Sequence, residues 1–251
     1  DRGMAFVQTE LTTSLQLSSW DLVIRHLLQN ITIQFGDQRV RGLPKVLRAI
    51  GDSGRANTEA LQQASLPHPG FRTAMHYAAT SASIGLSLNR FLLGERVPIR
   101  ALTNEGTVGV REPLSKKNAE LILQTVTGGL FALGIPGTML LFDETERTFQ
   151  RHTSSASTRA YVAANLMRRV IDASATGRMV GTVVVFAVLR DFIDQSSQVY
   201  SALGQRLERS SLDEAAWRQP VLDIADITTL ASPDAFASSV ATRFVALVES
   251  T

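Results

Sequence analysis

The stretch Gly137-Thr138-Met139-Leu140-Leu141-Phe142-Asp143-Glu144-Thr145-Glu146 decides how this chain folds. It opens on a glycine, continues through a short apolar run and ends on two adjacent acids. Such runs are typical of strands buried in a parallel sheet, and a buried strand does not accommodate acids inside it. We therefore predict a strand over Thr138–Phe142. Its carboxyl end, where α/β proteins bind their ligands, would carry Asp143 and Glu144.

A strand that ends on Asp-Glu has the form of a Walker B element, the acidic half of a nucleotide-hydrolysing site. In that role Asp143 would hold Mg²⁺ through a water molecule, and Glu144 would orient or deprotonate the water that attacks the γ-phosphate. The alternative is that the strand simply ends on surface acids. We interpret Glu146 as a solvated acid at a helix start.

The composition is that of an ordinary globular protein. The 251 residues are 44% hydrophobic and 19% charged, which is enough for one large domain or two small ones. The formal net charge of +2 permits nucleic-acid binding but does not indicate it. The lack of cysteine excludes disulfides and Cys-ligated zinc and is compatible with a cytoplasmic protein. The apolar runs are too short or too interrupted to span a bilayer.

Lysine is rare, and this excludes one motif. The chain has only Lys45, Lys116 and Lys117, and none of them follows a glycine. A phosphate-binding loop needs Gly-Lys-Ser/Thr, because the lysine reaches the β- and γ-phosphates and the hydroxyl reaches Mg²⁺. These 251 residues therefore contain no standard Walker A motif.

Other segments predict helices and strands that alternate around this stretch. We predict a strand over Met4–Gln8, a helix capped by Ser115 that ends before Gly137, a polar loop over Thr148–Thr158, a helix over Arg159–Ala173 and a doubly buried strand over Thr182–Leu189. This order is typical of an α/β fold with a parallel sheet.

The remaining segments complete the predicted organisation. We predict a core over residues 1–229, with residues 36–101 as a helical insertion rather than sheet. Val221–Ile227 could add a strand, and a final helix is predicted within residues 230–251, because Ser232-Pro233-Asp234 is typical of a helix start. A chain that begins almost at once on a central strand is expected to be cut from something longer.

Arg206 is a further candidate for the site. In oligomeric ATPases an arginine after the fourth core strand reaches a γ-phosphate, often in the neighbouring subunit. Arg209 is a weaker candidate for the same role, and the alternative for both is surface arginine, because 22 of the 25 basic residues are Arg. The four histidines have no metal-ligand spacing with carboxylates, so we interpret them as structural.

An ordered set of segments resembles a known family. The set comprises Arg2–Val7 leading to Leu11, Gly134–Glu146, Asn165–Asp172, Gly181–Val188 followed by Asp191-Phe192, and Ala202–Leu207. Together these segments resemble the P-loop ATP-binding proteins of BREX bacterial phage-defence systems, which look like AAA+/STAND-class ATPases. The resemblance covers most of the chain and is weakest over residues 36–101.

The resemblance implies a three-layer, AAA+-like nucleotide-binding core that contains a parallel sheet. Its Walker A would lie just before the first residue, and Met4–Gln8 would be the second strand of the core. Asp143 and Glu144 match the Walker B, and Arg206 matches the arginine-finger-like position. The polar sensor expected after the next strand is replaced by Leu189 and Arg190. The resemblance also implies that the final helix, over residues 230–251, begins a C-terminal helical lid.

The sequence therefore predicts a phage-defence ATPase that uses Mg²⁺ and ATP when full-length, whereas these 251 residues should bind neither tightly. The resemblance implies a homo-oligomer with other phage-defence proteins as partners, and DNA binding is allowed. A second hypothesis is a non-catalytic, ATPase-like scaffold that binds partner proteins or DNA. A third is a helical interaction protein, which would require Thr138–Phe142 and Thr182–Leu189 not to be adjacent parallel strands.

Overall fold

The computed structural model describes residues 3–145, 154–189, 192, 198 and 200–207. The strands in this part of the chain are β1 (Ala5–Glu10), β2 (Thr32–Phe35), β3 (Gln38–Arg41), β4 (Thr138–Asp143) and β5 (Thr182–Phe186). The helices are α1 (Trp20–Asn30), α2 (Leu43–Asp52), α3 (Thr58–Gln63), α4 (Pro69–Thr80), α5 (Leu86–Leu92), α6 (Ile99–Asn104), α7 (Ala119–Ala132), α8 (Ser154–Ala175) and α9 (Ser201–Leu207).

The strands form one mixed sheet in the order β3-β2-β1-β4-β5. Strands β1, β4 and β5 are parallel, whereas β2 and β3 are antiparallel. The predicted α/β class is confirmed, and so is the adjacency of the strands predicted over Thr138–Phe142 and Thr182–Leu189. This adjacency excludes the purely helical interaction protein.

Alternation along β4 gives the sheet two different faces. Leu140 and Phe142 are fully buried, and the Phe142 ring stacks on Phe186 at 5.0 Å and lies 5.9 Å from Trp20 of α1. Helices α1 and α7 pack against β1 and β4. Met139 and Leu141, on the opposite face, are only half-buried. The described residues thus show one closely packed face, and the predicted three-layer arrangement stays a prediction.

The two glycines before β4 explain how the chain enters this strand. Gly134 has φ of +90° just after α7 ends, a conformation that favours glycine. A β-carbon on Gly137 would lie 3.1 Å from the carbonyl oxygen of Gly181, so a side chain there would press on the backbone before β5. The predicted helix stop at this point is confirmed.

The insertion predicted as wholly helical over residues 36–101 begins with a strand, so that prediction was wrong at its start. Gly36-Asp37 forms the two-residue turn of a hairpin, and Gly36 takes φ of +53°. Val40 pairs with the buried Ile33. The rest of the insertion is helical, as predicted, in α2 to α6.

Three predicted details also differ in the structure. Helix α8 begins at Ser154, inside the segment predicted as a loop, and α7 begins after Asn118 rather than at a Ser115 cap. Ser115 donates two hydrogen bonds to the Asn118 Oδ1, which indicates that it orders the approach to the helix. Residues of β5 are half-buried rather than doubly buried.

His68 has the structural role that the sequence predicted. Its ring is 4% exposed, and its Nδ1 accepts a hydrogen bond of 3.0 Å from the backbone N–H of Phe71 at the start of α4. Its backbone N–H donates to the Thr125 hydroxyl of α7 at 2.9 Å. Burial lowers the pKa of His68, which keeps the ring neutral and able to accept.

Several predictions fall on residues outside those that the structure describes. These are the strand over Val221–Ile227, the lid over residues 230–251 and the side chains of Glu146, Arg190 and Arg209. Among the described helices, none combines the length and the hydrophobicity needed to cross a membrane.

Candidate functional site

Asp143 and Glu144 lie where β4 ends, at the carboxyl edge of three parallel strands. Asp143 is the last residue of β4, and its Oδ1 accepts a hydrogen bond of 2.9 Å from the backbone N–H of Glu144. Glu144 has φ of +58°, in the left-handed region that non-glycine residues rarely occupy. Such conformations are concentrated at functional sites, where the surrounding structure imposes them. The structure therefore places both predicted acids at the predicted edge.

The turn that carries these acids is hydrogen-bonded on both sides. The backbone N–H of Leu11, after β1, donates to the Asp143 carbonyl at 3.0 Å. On the β5 side, Ala187 donates its N–H to the Phe142 carbonyl at 2.7 Å and accepts the N–H of Thr145 at 3.4 Å. The acids therefore sit on backbone that two neighbouring strands hold in place.

Glu10 is an edge residue that the sequence reasoning missed. It pairs with Asp143 in the parallel register of β1 and β4, so both acids lie on the same face at the same edge. The available signal was that the strand Ala5–Glu10, like Thr138–Asp143, ends on an acid. The edge thus carries three carboxylates within two neighbouring strands.

An open cleft with both polar and apolar lining residues borders this edge on the side of α1. Glu10, Thr12, Ser14, Arg25 and His26 contribute to its lining. Burial, and to a lesser extent the charge of Arg41, lower the pKa of His26, so this ring is held neutral beside the cleft.

Arg206 lies away from the acids, on the surface between α8 and α9. Its Nε is 3.2 Å from the Oδ1 of Asp172, and the other Asp172 oxygen lies 2.6 Å from Arg168. Tyr200, before α9, packs edge-on against Tyr161 of α8 at 4.9 Å between ring centroids. The structure therefore does not bring Arg206 to Asp143 and Glu144 within this chain, and an arginine-finger role would have to act elsewhere.

The end of β4 offers one donor that suits Mg²⁺, the carboxylate of Asp143. Mg²⁺ commonly uses one or two carboxylates together with waters and substrate phosphates. Asp143 is fixed by its contact with Glu144, and a carboxylate has lone pairs beyond the one used there. Within the described ranges, no three His, Cys, Asp or Glu side chains form a group that could hold a metal ion. Asp143 would therefore hold Mg²⁺ together with water and phosphate rather than in a cage of protein ligands.

These features define a class of protein. The described fold is mixed α/β, with acids at the carboxyl edge of adjacent parallel strands, an arrangement compatible with a P-loop-like fold. Residues 92–235 match a family model described as BREX system ATP-binding protein BrxC/D. This span exceeds half of the 251 residues, and the chain belongs to this family of BREX system ATP-binding proteins.

The matched span runs from the end of α5 through β4, α8, β5 and α9. It contains Asp143, Glu144 and Arg206, and the family predicted from the sequence is confirmed. Comparison with curated proteins and with solved structures gives no significant match.

Proposed function

We propose that this chain supplies the acidic, water-activating side of a Mg-ATP hydrolysis site of AAA+ type in bacterial phage defence. The observation that carries the proposal is the Asp143–Glu144 turn, which lies at the carboxyl edge of parallel strands inside the span that matches an ATP-binding family. The fold and the family match both support a nucleotide site at this edge.

In the proposed reaction each acid has one role. Asp143 holds a water molecule of the Mg²⁺ shell, and the metal neutralises charge on the phosphates. Glu144 accepts a hydrogen bond from the water that attacks the γ-phosphate and orients it in line with the leaving group. Glu10, beside Asp143, adds negative charge to the same edge.

The phosphate-binding half of the site is assigned to polypeptide outside these residues. No lysine here follows a glycine, and Asp143 alone cannot replace the backbone and lysine contacts of a Walker A loop. The proposal therefore places tight Mg-ATP binding in the full-length protein. Homo-oligomerisation, contacts with other phage-defence proteins and contacts with DNA belong to that protein as well, and Arg206 would act on a neighbouring subunit.

Substitution of Glu144 tests the reaction. In the full-length protein, Glu144→Gln should keep ATP binding and lower turnover by about 10²–10⁴-fold, because the amide cannot accept a proton. Glu112→Gln is the matched control, since Glu112 is the other described glutamate with a left-handed backbone and lies in a different loop. Undiminished hydrolysis by Glu144→Gln would remove Glu144 from this role.

Calorimetry with the 251-residue chain tests whether the phosphate-binding half of the site lies in other polypeptide. Titration with Mg-ATP should give no binding at micromolar concentrations. Micromolar affinity would show that these residues bind phosphate by themselves and would overturn the assignment of that half to other polypeptide.

A non-catalytic scaffold is the second candidate, and Leu189 favours it. Leu189 is 59% exposed after β5, where an ATPase of this type needs a polar sensor. A full-length protein that binds partner proteins or DNA but neither binds nor hydrolyses ATP would support this candidate.

A further inference from the structure

Two non-glycine residues of the described chain have a left-handed backbone, and both are glutamates. Glu112 has φ of +57° and Glu144 has φ of +58°. Glycine adopts this conformation without steric cost, whereas a residue with a β-carbon adopts it only where neighbouring contacts impose it. The contacts around Glu144 should therefore include a residue that imposes its conformation.

Thr145 is the residue that imposes this conformation, because it is buried and forms two hydrogen bonds to neighbouring backbone. It is fully buried, although it follows directly on the partly exposed Glu144. Its hydroxyl donates to the Phe142 carbonyl at 3.4 Å, which closes a turn over Asp143 and Glu144. Its N–H reaches the Ala187 carbonyl, also at 3.4 Å. Both bonds are long, so the anchor depends on their combination with complete burial of the side chain.

We propose that Thr145 is a positioning residue that locks Glu144 in its left-handed conformation and so keeps the Glu144 carboxylate at the sheet edge beside Asp143. This inference rests on the proposed role of Glu144 as the residue that orients the attacking water. A glycine at position 144 would relieve the backbone but would lose the carboxylate. The left-handed conformation of Glu144 thus lowers the stability of the fold, while it holds the Glu144 carboxylate at the sheet edge.

The Thr145→Val variant measures what the Thr145 hydroxyl alone contributes to the anchor. Valine keeps the size of the buried side chain, and the Phe142 carbonyl keeps its bond of 2.7 Å from Ala187, so no buried acceptor is left without a partner. The variant should therefore fold. Thr145→Ser is the conservative variant that retains the hydroxyl, and Thr145→Ala gives the same comparison as valine if valine prevents folding.

A cycle of thermal unfolding measurements on the 251-residue chain tests the anchor. Glu144→Gly and the matched control Glu112→Gly should each raise the melting temperature by about 2–4 °C, because each relieves a left-handed residue. In the Thr145→Val background, the rise in melting temperature caused by Glu144→Gly should be less than half of the rise measured with Thr145 present. The rise caused by Glu112→Gly should be the same in both backgrounds. Thr145→Ser should restore the full gain at position 144.

Either of two results would overturn the inference: no rise in melting temperature for Glu144→Gly, or an equal rise with and without the Thr145 hydroxyl. In a full-length protein that hydrolyses ATP, Thr145→Val should lower kcat about tenfold with KM unchanged, and Thr145→Ser should restore it. If Glu144→Gln leaves hydrolysis intact, the proposed function fails, while the melting cycle still decides whether Thr145 fixes the turn.

Discussion

Within the part of the chain that the structure describes, the two edges of the sheet have opposite chemistry. At one edge, β3 exposes Gln38, Arg39 and Arg41, and the Arg41 guanidinium donates to the Asn30 side chain. At the other edge, β5 consists of Thr182 followed by three valines and a phenylalanine, all half-buried. Charged edge strands resist pairing with other strands, whereas uncharged apolar edges invite it. The β3 edge is therefore protected against pairing with another strand. The β5 edge, in contrast, has the composition of a strand that another segment or chain normally covers.

Packing behind the two edges follows the same contrast. Near β3, helix α2 packs on both hairpin strands and on α4, and Ile33, Leu47 and Ile50 are buried almost completely. At β5, Val184 and Phe186 pack on the core, whereas Val185 lies on the opposite, half-buried face. The site acids lie at the end of β4, directly beside this less covered strand. Among the described strands, the one beside the proposed chemistry is thus an edge strand whose apolar side chains are only half-buried.

Alanine substitutions in β2 and β5 measure this contrast in packing, and they should give the largest change in unfolding free energy. Ile33→Ala should cost about 2–5 kcal/mol of unfolding free energy, because it removes a side chain that is 1% exposed and leaves a cavity. Val185→Ala should cost about 1 kcal/mol or less, because that side chain is already half exposed. Urea unfolding of both variants measures the difference. Equal losses would show that β5 is packed as tightly as β2.

Exchanging charge between the edges tests whether the β5 edge drives association. The 251-residue chain should self-associate as its concentration rises, and Val185→Lys should weaken that association by about tenfold, or about 1.4 kcal/mol. Arg39→Val is the reciprocal variant and should strengthen association through β3. Sedimentation velocity over a range of concentrations checks both, and a wild-type chain that stays monomeric throughout would contradict the prediction.

The contrast between edges also explains what could be predicted from the sequence. The strand before Asp143 and the helix stop before Gly137 were predictable, because each depends on local composition and glycine placement. The β2–β3 hairpin was missed because residues 36–101 were predicted as a helical insertion rather than sheet. Long-range register is set by contacts between distant segments, so the acid at the end of Ala5–Glu10 did not by itself show that it would lie beside Asp143. Backbone strain at Glu144 likewise depends on tertiary contacts.

Helix α4, which packs on α2 behind the β3 edge, should be sensitive to mild acid through its capping residue His68. Burial lowers the pKa of His68 below the ordinary value of 6.5, so the unfolded chain binds the proton more readily. This contribution to stability is complete above pH 6.5 and is lost as the pH falls from 6.5 towards the folded pKa. His68→Asn keeps an acceptor for the Phe71 N–H and should flatten this dependence.

Denaturant unfolding between pH 5 and pH 7.5 measures the pH dependence. His68→Ala serves as the control, because it also removes the titrating ring but loses the helix cap, and it should be less stable than His68→Asn by about 1 kcal/mol at every pH. If wild type and His68→Asn show the same slope below pH 6.5, another group is responsible for the loss.

The smallest effect should come from the ion pair between Asp172 of α8 and Arg206 of α9. The two side chains are 27% and 40% exposed and lie 3.2 Å apart, so water and salt weaken their attraction. A double-mutant cycle with Asp172→Asn and Arg206→Gln should give a coupling of about 0.5 kcal/mol or less that declines in high salt. Because so small a coupling is readily exchanged for a phosphate contact, Arg206 could leave Asp172 for a neighbouring subunit's nucleotide at little cost. A coupling of about 2 kcal/mol that persists in high salt would instead tie Arg206 to α8 and count against that role.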